Sequence, residues 1–222
     1  MIRLLCIVIG YVCGLFQTAF IYGKMHGIDI RNVGSGNAGT TNTLRVLGTK
    51  AGLIVLLGDI LKTMLAIGIV KLFICPIQPD GMRYILIYYT ALGAILGHNF
   101  PFYMGFKGGK GIAATAGLIF SINPWFILVG VIMFFTPFFT LHYVSLGSLL
   151  VYLGFVIQTV IMGEMGMLGT MTRPELIELY IIAIVLMAMA YWRHRSNIVK
   201  LLNGTERKTY LFNKPEGHEN AE

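Results

Sequence analysis

The sequence predicts an all-α polytopic membrane protein with seven transmembrane helices, an N-terminus outside and a cytoplasmic C-terminus. Hydrophobic residues make up 56% of the 222 residues and charged residues only 12%, with a mean hydropathy of +0.73. Soluble domains carry about 25% charged residues, so lipid is the expected solvent for a chain this apolar. Apolar stretches recur along the whole chain, and most basic residues lie between them.

The apolar stretches define seven spans in a single membrane-embedded domain covering residues 1–222. A spanning helix needs about 20 apolar residues. The first stretch is too long for the core of a secretion signal and lacks a small-residue cleavage site, so we expect a retained helix. Asn123-Pro124 separates the fourth span from the fifth, because proline disfavours a helical predecessor; one long span over 112–139 is the alternative. The predicted spans are 4–22, 53–75, 84–100, 112–123, 125–139, 144–162 and 176–192.

Basic residues set the predicted orientation. With seven spans and the N-terminus outside, the inside segments hold 12 Lys and Arg residues and the outside segments hold 4, while Lys62 falls within a span. Six spans would place the basic tail outside, against the positive-inside rule. The inside residues are Lys24, Arg31, Arg45, Lys50, Lys107, Lys110, Arg193, Arg195, Lys200, Arg207, Lys208 and Lys214, and the outside residues are Arg3, Lys71, Arg83 and Arg173.

Charge and cysteine content argue against several classes of site. The net charge of +7 comes mostly from residues between apolar runs, so we predict attraction of anionic lipid or substrate and no nucleic-acid partner. Cys6, Cys13 and Cys75 are scattered and odd in number, which argues against a disulfide framework or a metal site. The sequence also has no discernible Ser-His-Asp order.

The first inside segment, residues 31–45, is rich in glycine, amide and hydroxyl groups and holds no acidic residue. Glycine permits close backbone approach, and successive exposed N–H groups bind anions. A guanidinium at its end matches phosphate. The pattern predicts a phosphate-binding loop, with an ordinary flexible loop as the alternative. Its candidate residues are Gly34, Ser35, Gly36, Asn37, Thr41, Asn42 and Arg45.

The same glycines also fit the dinucleotide-binding spacing, with Asp59 placed 20 residues after Gly39. That motif requires a strand, a turn and a helix within a parallel sheet. Here a spanning helix precedes the glycines and Asp59 lies within another span. We therefore interpret the match as coincidental.

The second inside segment, residues 97–111, combines glycines and lysines directly before a predicted helix start at Ile112. It is not a Walker loop, whose spacing would need glycine at Met104 and Ser or Thr at Gly111. Glycines expose backbone N–H groups, and a helix N-terminus favours bound anions. The alternative, basic residues flanking a span, explains the lysines but not the glycines. The candidate residues are His98, Lys107, Gly108, Gly109, Lys110 and Gly111.

Further polar residues accompany these segments. His194 and Asn197 follow the last span and would share one helix face; His194 can titrate near neutrality and donate to phosphate, and a basic interfacial anchor is the alternative. Asp59 and Lys62 lie three residues apart within a span, where charges are usually paired or functional. Both a buried ion pair and a role in the site stay open for them. Ser145 and Ser148 open the sixth span on the same side, as site residues or as caps and packing residues.

These groups favour holding phosphate and stabilising oxyanions. Transfer of a group from a phosphate leaving group needs mainly positioning and electrostatic stabilisation. A membrane-embedded transferase therefore competes with a transporter or channel for a phosphate-like anion. A transporter is expected to show inverted repeats with broken helices at mid-membrane. No repeat is evident and the polar segments cluster on one side, which favours the enzyme.

At these residues the sequence resembles the bacterial acyl-phosphate-dependent glycerol-3-phosphate acyltransferases, the PlsY family. Three stretches match the family's three motifs in order, and the hydrophobic layout covers essentially the whole chain. Ala38 stands where many members have proline, so the rigidity of the first loop is expected to differ. The stretches are Gly-Ser-Gly-Asn-Ala-Gly-Thr-Thr-Asn with Arg45, Gly-His-Asn…Phe-Lys-Gly-Gly-Lys-Gly, and His-Arg-Ser-Asn…Gly-Thr-Glu206.

The resemblance implies a reaction of acyl phosphate with sn-glycerol 3-phosphate. The products would be 1-acylglycerol 3-phosphate (lysophosphatidate) and inorganic phosphate, in the first acylation of phospholipid synthesis. The family needs no metal or other cofactor. The resemblance also implies a seven-helix protein of the bacterial inner membrane, surrounded by lipid, with its site facing the cytoplasm. The enzyme that makes acyl phosphate and the next acyltransferase are the implied protein partners.

The resemblance also implies residue roles. Ser35 and Arg45 match the essential serine and arginine of the first motif, residues 107–111 match the phosphate-binding second motif, and His194 and Asn197 match the third. Glu206 matches a glutamate with a structural role. We predict that Ser35, Arg45, Lys107, His194 and Asn197 are the catalytic residues. Arg45, Lys107 or Lys110, and the loop amides are expected to hold the phosphates, while Ser35, His194 and Asn197 orient them. We expect the glycerol hydroxyl to attack the acyl carbonyl and a substrate phosphate oxygen to accept its proton. A covalent role for Ser35 is the alternative.

Overall fold

The computed structural model of the chain describes residues 1–210, and every regular element in that range is helical, as predicted. Lys214, counted above with the basic tail, lies outside the described residues with the rest of 211–222. Two short 3₁₀ turns, Cys75–Ile77 and Phe102–Met104, extend the ends of two helices. The α-helices are α1 Ile2–Gly14, α2 Thr18–Met25, α3 Thr40–Leu47, α4 Thr49–Phe73, α5 Met82–Asn99, α6 Ile112–Ile122, α7 Pro124–Leu141, α8 Val144–Glu164, α9 Arg173–Arg193 and α10 Arg195–Leu202.

Six stretches of the described chain are long and apolar enough to cross a membrane, and they correspond to six of the seven predicted spans. The remaining predicted span, the fourth along the chain at 112–123, is helix α6 with only 11 residues. At 1.5 Å per residue it rises about 16 Å, roughly half the hydrocarbon thickness of a bilayer. The six stretches are Ile2–Met25, Thr49–Ile77, Met82–Met104, Pro124–Leu141, Val144–Glu164 and Arg173–Arg193.

The alternative of one long span over 112–139 is wrong. The backbone of Asn123 is extended, with φ −156° and ψ 143°, so α6 ends before it. Its side-chain Oδ1 accepts a hydrogen bond from Trp125 N–H at 3.1 Å and caps the start of α7. Pro124 occupies the first position of α7, where a missing N–H costs nothing.

Helix α6 is short because the segment before it folds back into the bundle. Gly108 N–H donates to Asn99 O and Gly109 N–H donates to His98 O, both at 3.2 Å, so the loop lies along the last turn of α5. Only glycine fits here, since a Cβ on Gly108 would lie 2.7 Å from Pro101 Cδ. Non-helical backbone can lie at membrane depth where it is buried in protein.

Helix α5 is the central helix of the bundle and packs against α1, α4, α6 and α9. Its contact with α1 is the closest, because Gly10 and Gly93 bring the two backbones together where a Cβ would collide. Tyr88 on α5 is fully buried, stacks on Phe155 and hydrogen-bonds Thr159 of α8 at 2.8 Å. This core holds the ends of the helices in fixed positions.

The two ends of the bundle differ in character. At one end, Arg3 near the start of α1 forms an ion pair with Glu178 of α9, at 2.7 Å from Nη2 to Oε2. At the other end, the chain after α10 reaches the turn between α7 and α8, where Thr209 N–H donates to His142 O at 2.9 Å. The three glycine-rich or basic segments predicted to lie on one side all meet at this second end.

Candidate active site

Two adjoining cavities open at this end of the bundle. The inner cavity, of about 150 Å³, is lined by all three segments and by apolar residues of α4, α6 and α7. The outer cavity, of about 520 Å³, is lined by Arg31, Lys107, Lys110, Arg193 and Lys200. Ser35, Asn37, Lys110 and Asn197 line both cavities and so form the wall between them.

The first segment is held in shape by the side chain of Asn42. Asn42 Oδ1 accepts a hydrogen bond from Ser35 N–H at 2.7 Å, and Nδ2 donates to Ile30 O and Val33 O at 3.0 Å each. The sequence predicted Asn42 as a substrate contact, but its amide is already bonded to the loop backbone. Its packing also explains Gly34, where a Cβ would collide with the Asn42 amide.

Three helices begin at the inner cavity. Thr40 at the start of α3, Ile112 at the start of α6 and Val144 at the start of α8 all line it. The first backbone N–H groups of a helix have no partner within the helix, and its macrodipole places positive partial charge there. The cavity is therefore suited to an anion such as phosphate. The predicted helix start at Ile112 is confirmed, and its binding of an anion stays a prediction.

The predicted exposure of the Gly108 and Gly109 amides is wrong. Both N–H groups are bonded to carbonyls at the end of α5. Their carbonyls are held from the other side by Arg193, whose Nη2 donates to Gly108 O at 2.9 Å and to Gly109 O at 2.7 Å. The two glycines therefore shape the loop, and the residues of this region that line the inner cavity at the start of α6 follow Lys110.

Polar side chains connect the second and third segments. The Lys110 ammonium donates to Asn197 Oδ1. Asn197 Nδ2 donates to Glu206 Oε1 at 2.7 Å, and Ser145 Oγ donates to the same oxygen at 2.8 Å. Glu206 thus joins α10 to α8 and orients Asn197, which fits the structural role expected for it.

The environment of Lys110 tunes its charge. Burial lowers the pKa of Lys110 to about 8. The nearby Glu206 carboxylate raises this pKa, and the Arg193 guanidinium lowers it. Lys110 is therefore mostly charged at pH 7, at the wall between the two cavities. A bound anion would favour the charged form.

His194 differs from the prediction that it titrates near neutrality. Burial, with a contribution from the neighbouring Lys110 charge, lowers the pKa of His194 to about 4, so the ring is neutral at pH 7. Its Nδ1 lies 2.8 Å from Ala190 O and must donate to that carbonyl. The other nitrogen, Nε2, therefore offers a lone pair, and His194 is an acceptor at the inner cavity.

Arg45 lies on α3 and lines the inner cavity. Its Nη2 donates to Thr209 Oγ1 at 2.5 Å and lies 3.4 Å from Arg207 O. The chain after α10 therefore folds across the inner cavity and holds the guanidinium in place. This contact could not be predicted from the sequence, because the tail is polar and has no hydrophobic periodicity.

Asp59, Lys62 and His98 form a buried cluster behind the inner cavity. Lys62 Nζ lies 2.9 Å from Asp59 Oδ1 and 2.8 Å from His98 Nδ1. Asp59 and His98 line the cavity but Lys62 does not. The predicted buried ion pair of Asp59 and Lys62 is confirmed, and Asp59 itself lines the inner cavity.

Two arginines that line the outer cavity were not among the predicted site residues, and one predicted catalytic residue does not line the inner cavity. Arg193 and Arg31 were assigned only to orientation, yet both line the outer cavity, and Arg31 is held there by Asp29 at 2.7 Å. The Arg31 guanidinium keeps the pKa of the Asp29 carboxyl well below its usual range. Lys107 lines only the outer cavity and is exposed.

Within residues 1–210, no cluster of three His, Cys, Asp or Glu residues could hold a metal ion.

Comparison with known proteins identifies the relatives of this chain. The sequence model of a family described as "Glycerol-3-phosphate acyltransferase" matches residues 4–204. A glycerol-3-phosphate acyltransferase of Bacillus cytotoxicus is 38% identical over 96% of this chain and 98% of its own length. One from Macrococcus caseolyticus is 40% identical over 92% of this chain and 95% of its own length.

Solved structures give the same relationship. A crystal structure of PlsY, an integral membrane glycerol 3-phosphate acyltransferase in its glycerol 3-phosphate form, superposes with a TM-score of 0.77. It is 32% identical and the match covers 94% of this chain and 96% of that one. The lysophosphatidic acid form of PlsY superposes with a TM-score of 0.75 at 31% identity.

Proposed function

This chain belongs to the glycerol-3-phosphate acyltransferase family, and from that premise we propose that it transfers an acyl group from acyl phosphate to sn-glycerol 3-phosphate. The products are 1-acylglycerol 3-phosphate and inorganic phosphate. The observation that carries the proposal is the pair of cavities joined at Lys110 and Asn197. Two anionic substrates can then lie in adjoining cavities, with their reacting groups meeting where the cavities share lining residues.

From the linings of the two cavities we infer one substrate for each. Leu56, Phe134 and Ile112 form the apolar part of the inner cavity, next to the helix starts that favour phosphate. This combination suits an acyl phosphate, with its chain directed towards lipid. The outer cavity has five basic side chains and suits the small, water-soluble glycerol 3-phosphate.

Acyl transfer needs one nucleophilic displacement. The glycerol hydroxyl oxygen forms a bond to the acyl carbonyl carbon, and the bond from that carbon to the phosphate oxygen breaks. A substrate phosphate oxygen accepts the hydrogen bond of the attacking hydroxyl and then its proton, since neutral His194 is a weak base. His194 Nε2 accepts a hydrogen bond from the second hydroxyl of glycerol 3-phosphate and orients the substrate, while Lys110, Arg45 and the helix starts stabilise the negative charge.

Ser35 takes part by positioning and not by forming an acyl intermediate. It lies in the wall between the two cavities and lines both of them. A serine nucleophile needs a base within hydrogen-bond reach. Within the described residues, no hydrogen bond joins Ser35 Oγ to such a base, and the bonded group of this residue is its backbone N–H.

We also propose that the chain crosses the bacterial inner membrane seven times, with the site at the cytoplasmic face. The loop before α6 and α6 itself would together make the fourth crossing. In support, Lys71 near the end of α4 donates to Ser121 O near the end of α6, so α6 reaches the far end of the bundle. In a variant without its native cysteines, a cysteine at Asp80 should react with an impermeant thiol reagent outside, and one at Asn203 only after permeabilisation.

The donor is tested with purified protein in lipid. Wild-type protein should form lysophosphatidate from acyl phosphate and glycerol 3-phosphate, with one phosphate released per product and with acyl-CoA giving no comparable rate. Arg45→Ala, prepared in the same lipid, is the matched control. Equal rates with acyl-CoA would refute the proposed donor, and phosphate flux across sealed vesicles without acylation would favour a transporter.

A further inference from the structure

The cluster behind the inner cavity is centred on a buried ammonium that the proposed mechanism does not use. Lys62 is 5% exposed and lines neither cavity. Its Nζ lies 2.7 Å from Phe16 O, 2.9 Å from Asp59 Oδ1 and 2.8 Å from His98 Nδ1. An ammonium has three N–H donors and no acceptor, so these three contacts saturate it.

The protonation of the cluster follows from Asp59. This carboxylate is 1% exposed, and its Oδ1 also accepts a hydrogen bond from Thr18 Oγ1 at 3.1 Å. A neutral amine in place of the ammonium would leave the buried carboxylate uncompensated, which is strongly unfavourable. Lys62 is therefore the donor and His98 Nδ1 the acceptor, so the neutral imidazole carries its proton on Nε2.

The Nε2 edge of His98 faces the site. The ring lines the inner cavity, and Nδ1 is its nitrogen in contact with Lys62. A Cβ on Gly109 would collide with Nε2, so this edge lies directly against the second segment. Although His98 is only 3% exposed, Nε2 makes no hydrogen bond within residues 1–210. A protonated Nε2 on a residue that lines the cavity can therefore donate to a ligand bound there.

We propose that Lys62 is a positioning residue that holds His98 in the Nε2–H tautomer, so that the ring donates a hydrogen bond to a phosphate oxygen bound in the inner cavity. The identity of that phosphate rests on the proposed function. A donor fixed in advance stabilises negative charge without reorganisation during the reaction. The opposite tautomer would direct a lone pair at the phosphate and repel it.

The tautomer can be read without measuring activity. Full-length protein labelled with ¹⁵N-histidine in a lipid bilayer gives distinct signals for protonated and unprotonated ring nitrogens, and His98→Gln identifies those of His98 by their loss. We expect a protonated Nε2 and an unprotonated Nδ1. A protonated Nδ1 in the wild-type protein would overturn the proposal, whichever acyl donor the enzyme uses.

A double variant separates positioning from simple burial of charge. Asp59→Asn/Lys62→Met removes both charges and leaves neither uncompensated. We expect a mixture of His98 tautomers and a loss of about 10–100-fold in kcat/KM, as for other groups that orient a functional imidazole. Lys71→Met is the matched control, since this lysine of the same helix donates to Ser121 O at the far end and should retain wild-type activity. An unchanged kcat/KM in the double variant would contradict the proposal.

Two substitutions of His98 test which nitrogen matters. Glutamine places an amide N–H near the Nε2 position, whereas asparagine places one near Nδ1. We expect His98→Asn to lose on the order of tenfold more kcat/KM than His98→Gln, the value of one hydrogen bond to a charged group. Adding the Asp59→Asn/Lys62→Met change to His98→Asn should lower kcat/KM no further. Equal losses for the two amides, or full additivity, would overturn the proposal.

Discussion

The inner and outer cavities differ in how their polar groups are held. The inner cavity uses helix starts and side chains fixed by neighbours, such as Arg45 on Thr209 and Asn197 on Glu206. The outer cavity uses side chains on its rim, among them the exposed Lys107 and Lys200. Fixed donors stabilise developing charge without reorganisation, whereas exposed charges attract a substrate and are screened by salt. The inner groups should therefore affect the chemical step and the exposed ones the capture of substrate.

The largest effect is expected from removing a fixed cation of the inner cavity. Arg45→Ala should lower kcat by about 10²–10³-fold, the usual cost of losing one such donor. The measurement is steady-state acyl transfer in lipid, with thermal unfolding as the check on folding. Lys200→Ala is the control, since that residue lines only the outer cavity. A similar loss of kcat in both variants would remove the distinction between the cavities.

A smaller but still large effect is expected from Gly109→Ala. Its Cβ would collide with His98 Nε2 and lie 2.9 Å from Ala38 O, so the loop and the ring must both move. A displacement of about 1 Å near the reacting groups can cost about 10²-fold in rate. Gly68→Ala provides the comparison, because a Cβ there meets nothing within 4 Å. Wild-type kinetics for Gly109→Ala would show that the loop shape does not matter.

Lys110 links the two cavities through its charge. Its pKa is lowered to about 8, so its positive charge is present below pH 8 and is lost as the pH rises through that value. We expect kcat/KM, which reports the free enzyme, to fall above pH 8. Lys110→Arg should move that fall to higher pH, because a guanidinium keeps its charge. His194, with its pKa lowered to about 4, should add no change between pH 6 and 8.

The smallest effect is expected from Lys107→Ala in the outer cavity. Lys107 is exposed, so its loss should raise the KM for glycerol 3-phosphate by roughly tenfold at most and leave kcat nearly unchanged. The difference from wild type should shrink as salt is added, as for an exposed charge. A large fall in kcat that is insensitive to salt would instead place Lys107 in the chemical step.

The convergence of the three segments could be predicted from the sequence because its causes are local. Lysines and arginines between apolar runs set the side of the membrane, and the glycines of residues 31–45 and 97–111 mark tight loops. The roles of single groups depended on contacts between distant residues. Asn42 bonds the first loop, and Arg193 holds the carbonyls of Gly108 and Gly109. Hydropathy placed the short α6 to within one residue, as the span 112–123, but it could not show that the loop before α6 packs along the end of α5.

The proposed reaction is direct transfer between two substrates bound together where Lys110 and Asn197 line both cavities. It is tested by initial rates measured while both acyl phosphate and glycerol 3-phosphate are varied. Direct transfer predicts double-reciprocal lines that intersect, because both substrates must be bound before reaction. Parallel lines, with an acyl adduct on Ser35 in protein treated with acyl phosphate alone, would contradict the account.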